Sequence, residues 1–151
     1  MIKTLDVKNT DIINDILQLQ RVSYQVEAQI IGFDRIPPLM DTINSISKCD
    51  ETFLGYYSEN DLLAGIISYK LEGQVLDIHR LAVQPDFFRK GIAQKLLTHV
   101  ESLKYGFTKI IVSTGLKNEP AINLYLKFGF KRIRTVKMEE GIDIVSFEKT
   151  V

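Results

Sequence analysis

The stretch best suited to chemistry runs from Leu81 to Ala93, LAVQPDFFRKGIA. An apolar strand pattern stops at Pro85, because proline cannot donate to a strand ladder. Phe88-Arg89-Lys90-Gly91-Ile92-Ala93 then leads straight into a helical pattern. Gly91 permits a positive φ or the close approach of a ligand to the backbone. Ala93 is small and leaves the first helical turn open. The first N–H groups of a helix have no partner within it, and the positive end of its dipole lies there too. Such a turn suits a phosphate or pyrophosphate. Arg89 and Lys90 place two cations beside it. The same residues also fit an ordinary turn with a solvated cation pair. Neither G-x-x-x-x-G-K-[ST] nor G-x-G-x-x-G occurs, so this is not one of the common nucleotide loops.

Further groups with proton chemistry lie on either side. Asp77, His79, Leu81 and Val83 fall at alternate positions of one strand pattern and are expected on one face. His79 has an unperturbed pKa of about 6.5, which suits proton transfer near neutrality. Asp77 reads equally as a base and as an ion-pair partner of Arg80. Asn118, just before Pro120, reads as a helix cap. Tyr125, on an amphipathic helix pattern, reads as a core tyrosine. No His or Cys cluster has metal-ligand spacing, so no metal is expected.

The elements that must position these groups follow from periodicity and turn chemistry. Residues 2–7 read as a short strand, and Thr10-Asp11 caps a helix whose apolar stripe is Ile12, Ile13, Ile16, Leu17, Leu19 and Val22. It runs to about Ile30, where Gly32 and then Pro37-Pro38 stop it. Leu39, Ile43 and Ile46 mark a short second helix. Strands are expected at 53–57, 62–69 and 75–83, a helix at 92–104, a buried strand at 109–114, and a helix from Pro120 to Phe128. Two strands close the chain, near 130–137 and 142–149, with a turn at Glu140-Gly141.

The order is β-α-α-β-β-β-α-β-α-β-β, an α/β (α+β) arrangement in which a mixed sheet carries helices on its faces. The segment 75–114 can form a right-handed crossover between parallel strands. The 151 residues match one domain, residues 1–151, against a prior of about 150 per domain. With 45% hydrophobic and 25% charged residues, the composition is that of a globular chain with a real core. The 19 basic and 19 acidic residues cancel, so the basic excess of a nucleic-acid binder is missing. No apolar run approaches the roughly 20 residues that span a bilayer, and no signal segment is visible. Cys49, the single cysteine, cannot form an internal disulfide; a cytoplasmic location is the expectation.

The run 88–93 resembles motif A of the GCN5-related N-acetyltransferases, the GNAT superfamily, whose core is [Q/R]-x-x-G-x-[G/A]. Gly91 and Ala93 fill the two small positions. Phe88 stands where the family prefers Gln or Arg, a departure, and Arg89 next to it carries charge. Asn118 to Phe130, NEPAINLYLKFGF, is similar to motif B of the same family, N-x-x-A-x-x-[LF]-Y-x-x-x-G-F, at every named position. Motif-grade resemblance covers roughly 77–130. It implies a mixed, mostly antiparallel sheet with helices on both faces.

The resemblance also implies an activity: transfer of an acetyl group from acetyl-CoA to a primary amine of a small molecule or peptide. The backbone of Leu81, Ala82 and Val83 would pair with the pantetheine arm. The amides of Arg89, Lys90, Gly91, Ile92 and Ala93 would hold the pyrophosphate. Asn118 would contact the cofactor's arm, and Tyr125 would lie near its sulfur and serve as acid. Asp77 stands where some histone-acetylating members carry a glutamate base, and His79 is its rival. The acceptor pocket would come from the N-terminal helices and their loop. There Glu27 and Asp34 could hold a cationic amine and Tyr24 and Phe33 could stack on it; the alternative is a segment that only covers the core. The family's terminal strands often pair between subunits, so a homodimer is one expectation. The alternative to an enzyme is a CoA-binding sensor or regulatory module.

Overall fold

The computed structural model describes residues 1–33, 35–138 and 142–151. The acceptor candidate Asp34 and the expected turn at Glu140-Gly141 therefore lie outside the described residues.

The chain opens with β1 (Ile2–Thr4) and α1 (Thr10–Ile31). The cap of α1 is Asn9, not Thr10-Asp11: its side chain accepts from the backbone N–H groups of Asp11 and Ile12. Asparagine is among the strongest capping residues, and it stands one position earlier than expected. Gly32, at φ 72, closes the helix in the left-handed conformation that glycine adopts without penalty. Pro37–Met40 forms a 3₁₀ turn, so Leu39 belongs to that turn rather than to α2 (Ile43–Lys48).

Strands β2 (Thr52–Tyr57), β3 (Leu63–Glu72) and β4 (Val75–Val83) form an antiparallel meander. Helix α3 (Ile92–Glu101) then leads to β5 (Lys109–Gly115), α4 (Glu119–Lys127), β6 (Lys131–Lys137) and β7 (Asp143–Thr150). All seven strands join one sheet, ordered β1-β2-β3-β4-β5-β7-β6. Every pairing is antiparallel except β4 with β5.

Alternate residues along the central strands feed two cores. Ile13, Ile16 and Leu19 of α1 and Ile46 of α2 pack with Phe53, Ile66 and Ala82 on one side. Ile92, Leu96, Leu97 and Val100 of α3 and Ile122 and Tyr125 of α4 pack with Leu54, Ile67, Leu76 and Phe147 on the other. The apolar stripe of α3 is thus fully used, which is what a helix needs to be held by tertiary packing.

Two irregularities open the centre of this sheet. The parallel pairing of β4 with β5 covers only Val75, Leu76 and Asp77 against Lys109, Ile110 and Ile111. Beyond Asp77 the pairing of the two strands ends, and the β5 side of Ile78–Val83 has no strand partner among the described residues. The second is a β-bulge: Ser68 pairs with Arg80 and Tyr69 with Ile78, leaving His79 as the extra residue. It breaks the alternation expected from the sequence. Leu76, Ile78, Leu81 and Val83 all pack toward the α3/α4 core, while Ala82 faces α1. Asp77 therefore does not share a face with Leu81 and Val83.

Candidate functional site

The separated ends of β4 and β5 form the floor of a cleft of about 1310 Å³. It is walled by the C-terminal half of α1 and the 3₁₀ turn, by the start of α3, and by the start of α4. This is where a parallel pair parts, a position at which open sheets commonly offer a crevice.

The turn before α3 takes the form the sequence requires. Gly91 is the N-cap at φ 75, and a Cβ placed there would meet no atom within 4 Å. Its glycine requirement is thus conformational, and the space over it is open. Arg89 also lies at φ 64, an uncommon conformation for a residue with a Cβ and one that concentrates at functional sites. No side chain among the described residues caps α3, which leaves its leading N–H groups open to water or a ligand. Arg89, Gly91, Ile92 and Ala93 line the cleft. Lys90 is turned to one side, with its Nζ 5.3 Å from the centre of the Phe87 ring.

Five polar residues, Asn118, Glu27, Thr114, Tyr24 and Tyr125, gather between α1 and α4. Asn118 caps α4, accepting at Oδ1 from the Ala121 N–H at 3.2 Å. Its Nδ2 donates to Glu27 Oε1 and, at 3.4 Å, to Thr114 Oγ1. Tyr125 lies one helical stretch further on, its ring centre 5.7 Å from those of Phe130 and Phe147. Burial pushes the Tyr125 hydroxyl well above the ordinary phenol value, and the charge of Glu27 adds to the shift. Burial pushes Tyr24 up in the same way, again with Glu27 contributing, while a backbone hydrogen bond from Leu81 works against it. Burial raises the Glu27 carboxyl too, partly offset by the bond from Asn118. All five residues line the cleft, as does Phe33.

The two base candidates on β4 touch one another, but only one of them is among the described residues that line the cleft. The bulge leaves His79 exposed at the cleft wall, its Nε2 3.4 Å from Asp77 Oδ2. Asp77 itself is not among the described lining residues. Nor does it pair with Arg80, as the alternative reading had it. Arg80 pairs with Asp41 and Glu51, donates to Gln20 Oε1 at 2.8 Å, and is backed by Ser68, which donates to Glu51 at 2.6 Å. Sequence reasoning missed this buried network. Its charged members look like surface residues in the sequence: Arg80 lies on β4, but Asp41 only follows the 3₁₀ turn and Glu51 only precedes β2.

Residues 13–130 match the acetyltransferase (GNAT) family. The chain belongs to that family. This GNAT chain is 42% identical over 142 residues to the UPF0157 protein YqkA of Bacillus subtilis, covering 94% of its own length and 41% of that protein. It is 27% identical over 113 residues to the spermidine N(1)-acetyltransferase of Thermoplasma acidophilum, covering 74% of itself and 67% of that enzyme. It thus spans less than half the length of the Bacillus relative. Among solved structures, the ribosomal-protein-S18-alanine N-acetyltransferase of Escherichia coli matches with a TM-score of 0.78 at 16% identity, covering 100% of this chain and 93% of that one. The PaiA N-acetyltransferase of Thermoplasma acidophilum, solved with coenzyme A, matches at 0.75 and 22%, covering 100% and 98%. At these identities the likeness establishes the GNAT fold. No described helix is long and apolar enough to cross a membrane.

Proposed function

We propose that this GNAT chain transfers an acetyl group from acetyl-CoA to a primary amine of a small molecule or peptide. The observation that carries the reading is the convergence, on one cleft, of an unpaired strand edge, an uncapped helix start and Tyr125. On the side facing β5, the β4 edge from Ile78 to Val83 has no strand partner among the described residues. An extended amide-bearing arm can hydrogen-bond there as an added strand would. The start of α3, with Gly91 open above it and Arg89 at its rim, fits a diphosphate.

The residues present therefore fit acetyl-CoA, which supplies an acetyl group activated as a thioester. Leu81, Ala82 and Val83 would hold the pantetheine arm. Arg89, Lys90, Gly91, Ile92 and Ala93 would hold the diphosphate through their backbone, and Asn118 would border the arm. Tyr125 would hydrogen-bond or protonate the departing sulfur. A phenol held protonated by burial is suited to donate rather than accept. Tyr24, Glu27 and Phe33 form the wall that an acceptor amine would meet.

Calorimetric titration of the full chain with acetyl-CoA, followed by thiol release in the presence of amines, tests the reading. Saturable binding with amine-dependent release supports transfer. Binding without release to any amine would leave a CoA-binding module in its place.

A further inference from the structure

We infer that Glu27 is the group that takes the proton from the acceptor amine, with Asn118 as the positioning residue that fixes its carboxylate; this rests on the acetyl-transfer reading. Three observations lead to it. Glu27 is the only carboxylate among the described residues that line the cleft. It hydrogen-bonds to Asn118, the cap of the same helix that presents Tyr125, so proton acceptor and proton donor are fixed relative to one another. Its charge is felt at the hydroxyls of both Tyr24 and Tyr125, which places it within the same local field. The β4 candidates are less well placed. Asp77 is not among the described lining residues and is engaged with His79, and His79 is the exposed extra residue of the bulge.

The chemistry requires such a group. An alkylammonium has a pKa of about 10.4 and no free electron pair until it loses a proton. An isolated carboxylate at its ordinary pKa is a weak base at neutrality. Burial raises the Glu27 carboxyl, which makes it a stronger base, and the Asn118 N–H bond works against that rise. In balance, the ammonium nitrogen gives up two protons overall. The first passes to a Glu27 oxygen and frees the electron pair that forms the N–C bond with the acetyl carbon. The C–S bond breaks, and the sulfur leaves with its electron pair and takes a proton through Tyr125. The second nitrogen proton leaves as the amide forms, and the phenol and the carboxylate return to their starting states through solvent.

The cleft wall next to Glu27 is built by Val26, Ile30, Phe33 and Ile36. An apolar wall of this kind makes 2-phenylethylamine an appropriate probe beside spermidine and a peptide with N-terminal alanine. The test compares wild type and Glu27→Gln as full-length chains. The amide keeps an oxygen for Asn118 but cannot accept the proton. CoA affinity by calorimetry should stay within about threefold. At pH 7 kcat should fall about 100-fold or more on whichever probe the wild type turns over best, with KM changed far less. The pH profile carries the decisive signature. Wild-type kcat/KM should level off above the titration of Glu27, while the variant's should climb about tenfold per pH unit toward the amine's own pKa. Other charged groups of the cleft are His79, Arg80, Arg89, Arg35 and Lys137, and none of them is changed in the variant. Glu27→Asp, which keeps a carboxylate but withdraws it, should fall between the two.

A loss confined to KM would make Glu27 an ammonium anchor and overturn the proton-transfer role. So would kcat within threefold of wild type in Glu27→Gln while Asp77→Asn or His79→Gln loses 100-fold. Failure of wild type to acetylate any probe would overturn the acetyltransferase reading itself, and this assignment with it.

Discussion

Asn118 at the start of α4 donates a side-chain hydrogen bond to Glu27 of α1, 91 positions earlier in the chain. The same side chain caps α4 through Ala121 and touches Thr114 at the end of β5. One residue thus joins the α1 wall of the cleft, the helix that carries Tyr125 and the strand that parts from β4. Asn118→Ala should cost about 1 kcal/mol from the lost cap alone. The freed Glu27 carboxylate adds a functional loss. Thermal melting and amine acetylation measured on the same preparation should show a modest drop in Tm and a larger drop in rate. Asn118→Asp, which keeps the cap, should preserve Tm better than the alanine variant but repel Glu27 and stay slow.

The diphosphate reading predicts a large effect at Gly91. Its φ of 75 is costly for any residue with a Cβ, although the space above it is open. Gly91→Ala should therefore cost about 1 kcal/mol of stability with a limited effect on CoA affinity. Gly91→Glu adds a negative charge at the positive end of α3, where the diphosphate is to sit. Its CoA affinity should fall by at least tenfold in calorimetry. Equal affinity in wild type and Gly91→Glu would remove the diphosphate from this turn.

Much of this arrangement is legible in the sequence where local chemistry decides it. β4 spans Val75–Val83 as expected, because Gly73 turns the chain before it and Pro85 ends the ladder after it. α3 begins at Ile92, just after Gly91, for equally local reasons. The His79 bulge is not legible. An alternating run looks the same with or without an extra residue, and the register is set by the neighbouring strand. The Glu27–Asn118 bond is likewise invisible, since it depends on how α1 and α4 approach across the cleft. Arg80, Asp41 and Glu51 read as solvated charges. They are buried because α2 and the 3₁₀ turn close over the sheet, a tertiary event with no short-range signal.

Tyr125→Phe separates a chemical role from a packing role. The ring already packs against Phe130 and Phe147, and phenylalanine retains that shape. The variant should melt within a few degrees of wild type and bind CoA with similar affinity. Its acetylation rate should fall about 10- to 100-fold if the hydroxyl assists the leaving sulfur. Single-turnover measurements locate the loss in the transfer step rather than in product release. An unchanged single-turnover rate would return Tyr125 to the core.

The network around Arg80 should make stability depend on acid. Burial by itself would raise the Glu51 carboxyl, but the hydrogen bonds from Arg80 and Ser68 outweigh it and hold it below its ordinary value of 4.5. A carboxylate depressed in the folded state contributes stability that is fully present above its unfolded pKa and is lost as pH falls through its folded one. Wild-type Tm should thus be flat in this contribution above about pH 5 and decline on further acidification. Glu51→Gln removes the charge from a group that Arg80 engages while both are nearly buried, at 10% and 7% side-chain exposure. Breaking one side of a buried pair costs on the order of 3 kcal/mol, and Asp41 remains to keep Arg80 partly compensated. At pH 7 the variant should melt lower by roughly 10 °C. The gap should narrow as pH falls, because acid neutralises in the wild type the charge the substitution has already removed. Calorimetric scans of both chains between pH 7 and pH 3 check it, and a gap that stays constant across that range would show that the Glu51 charge does not carry the stability assigned to it.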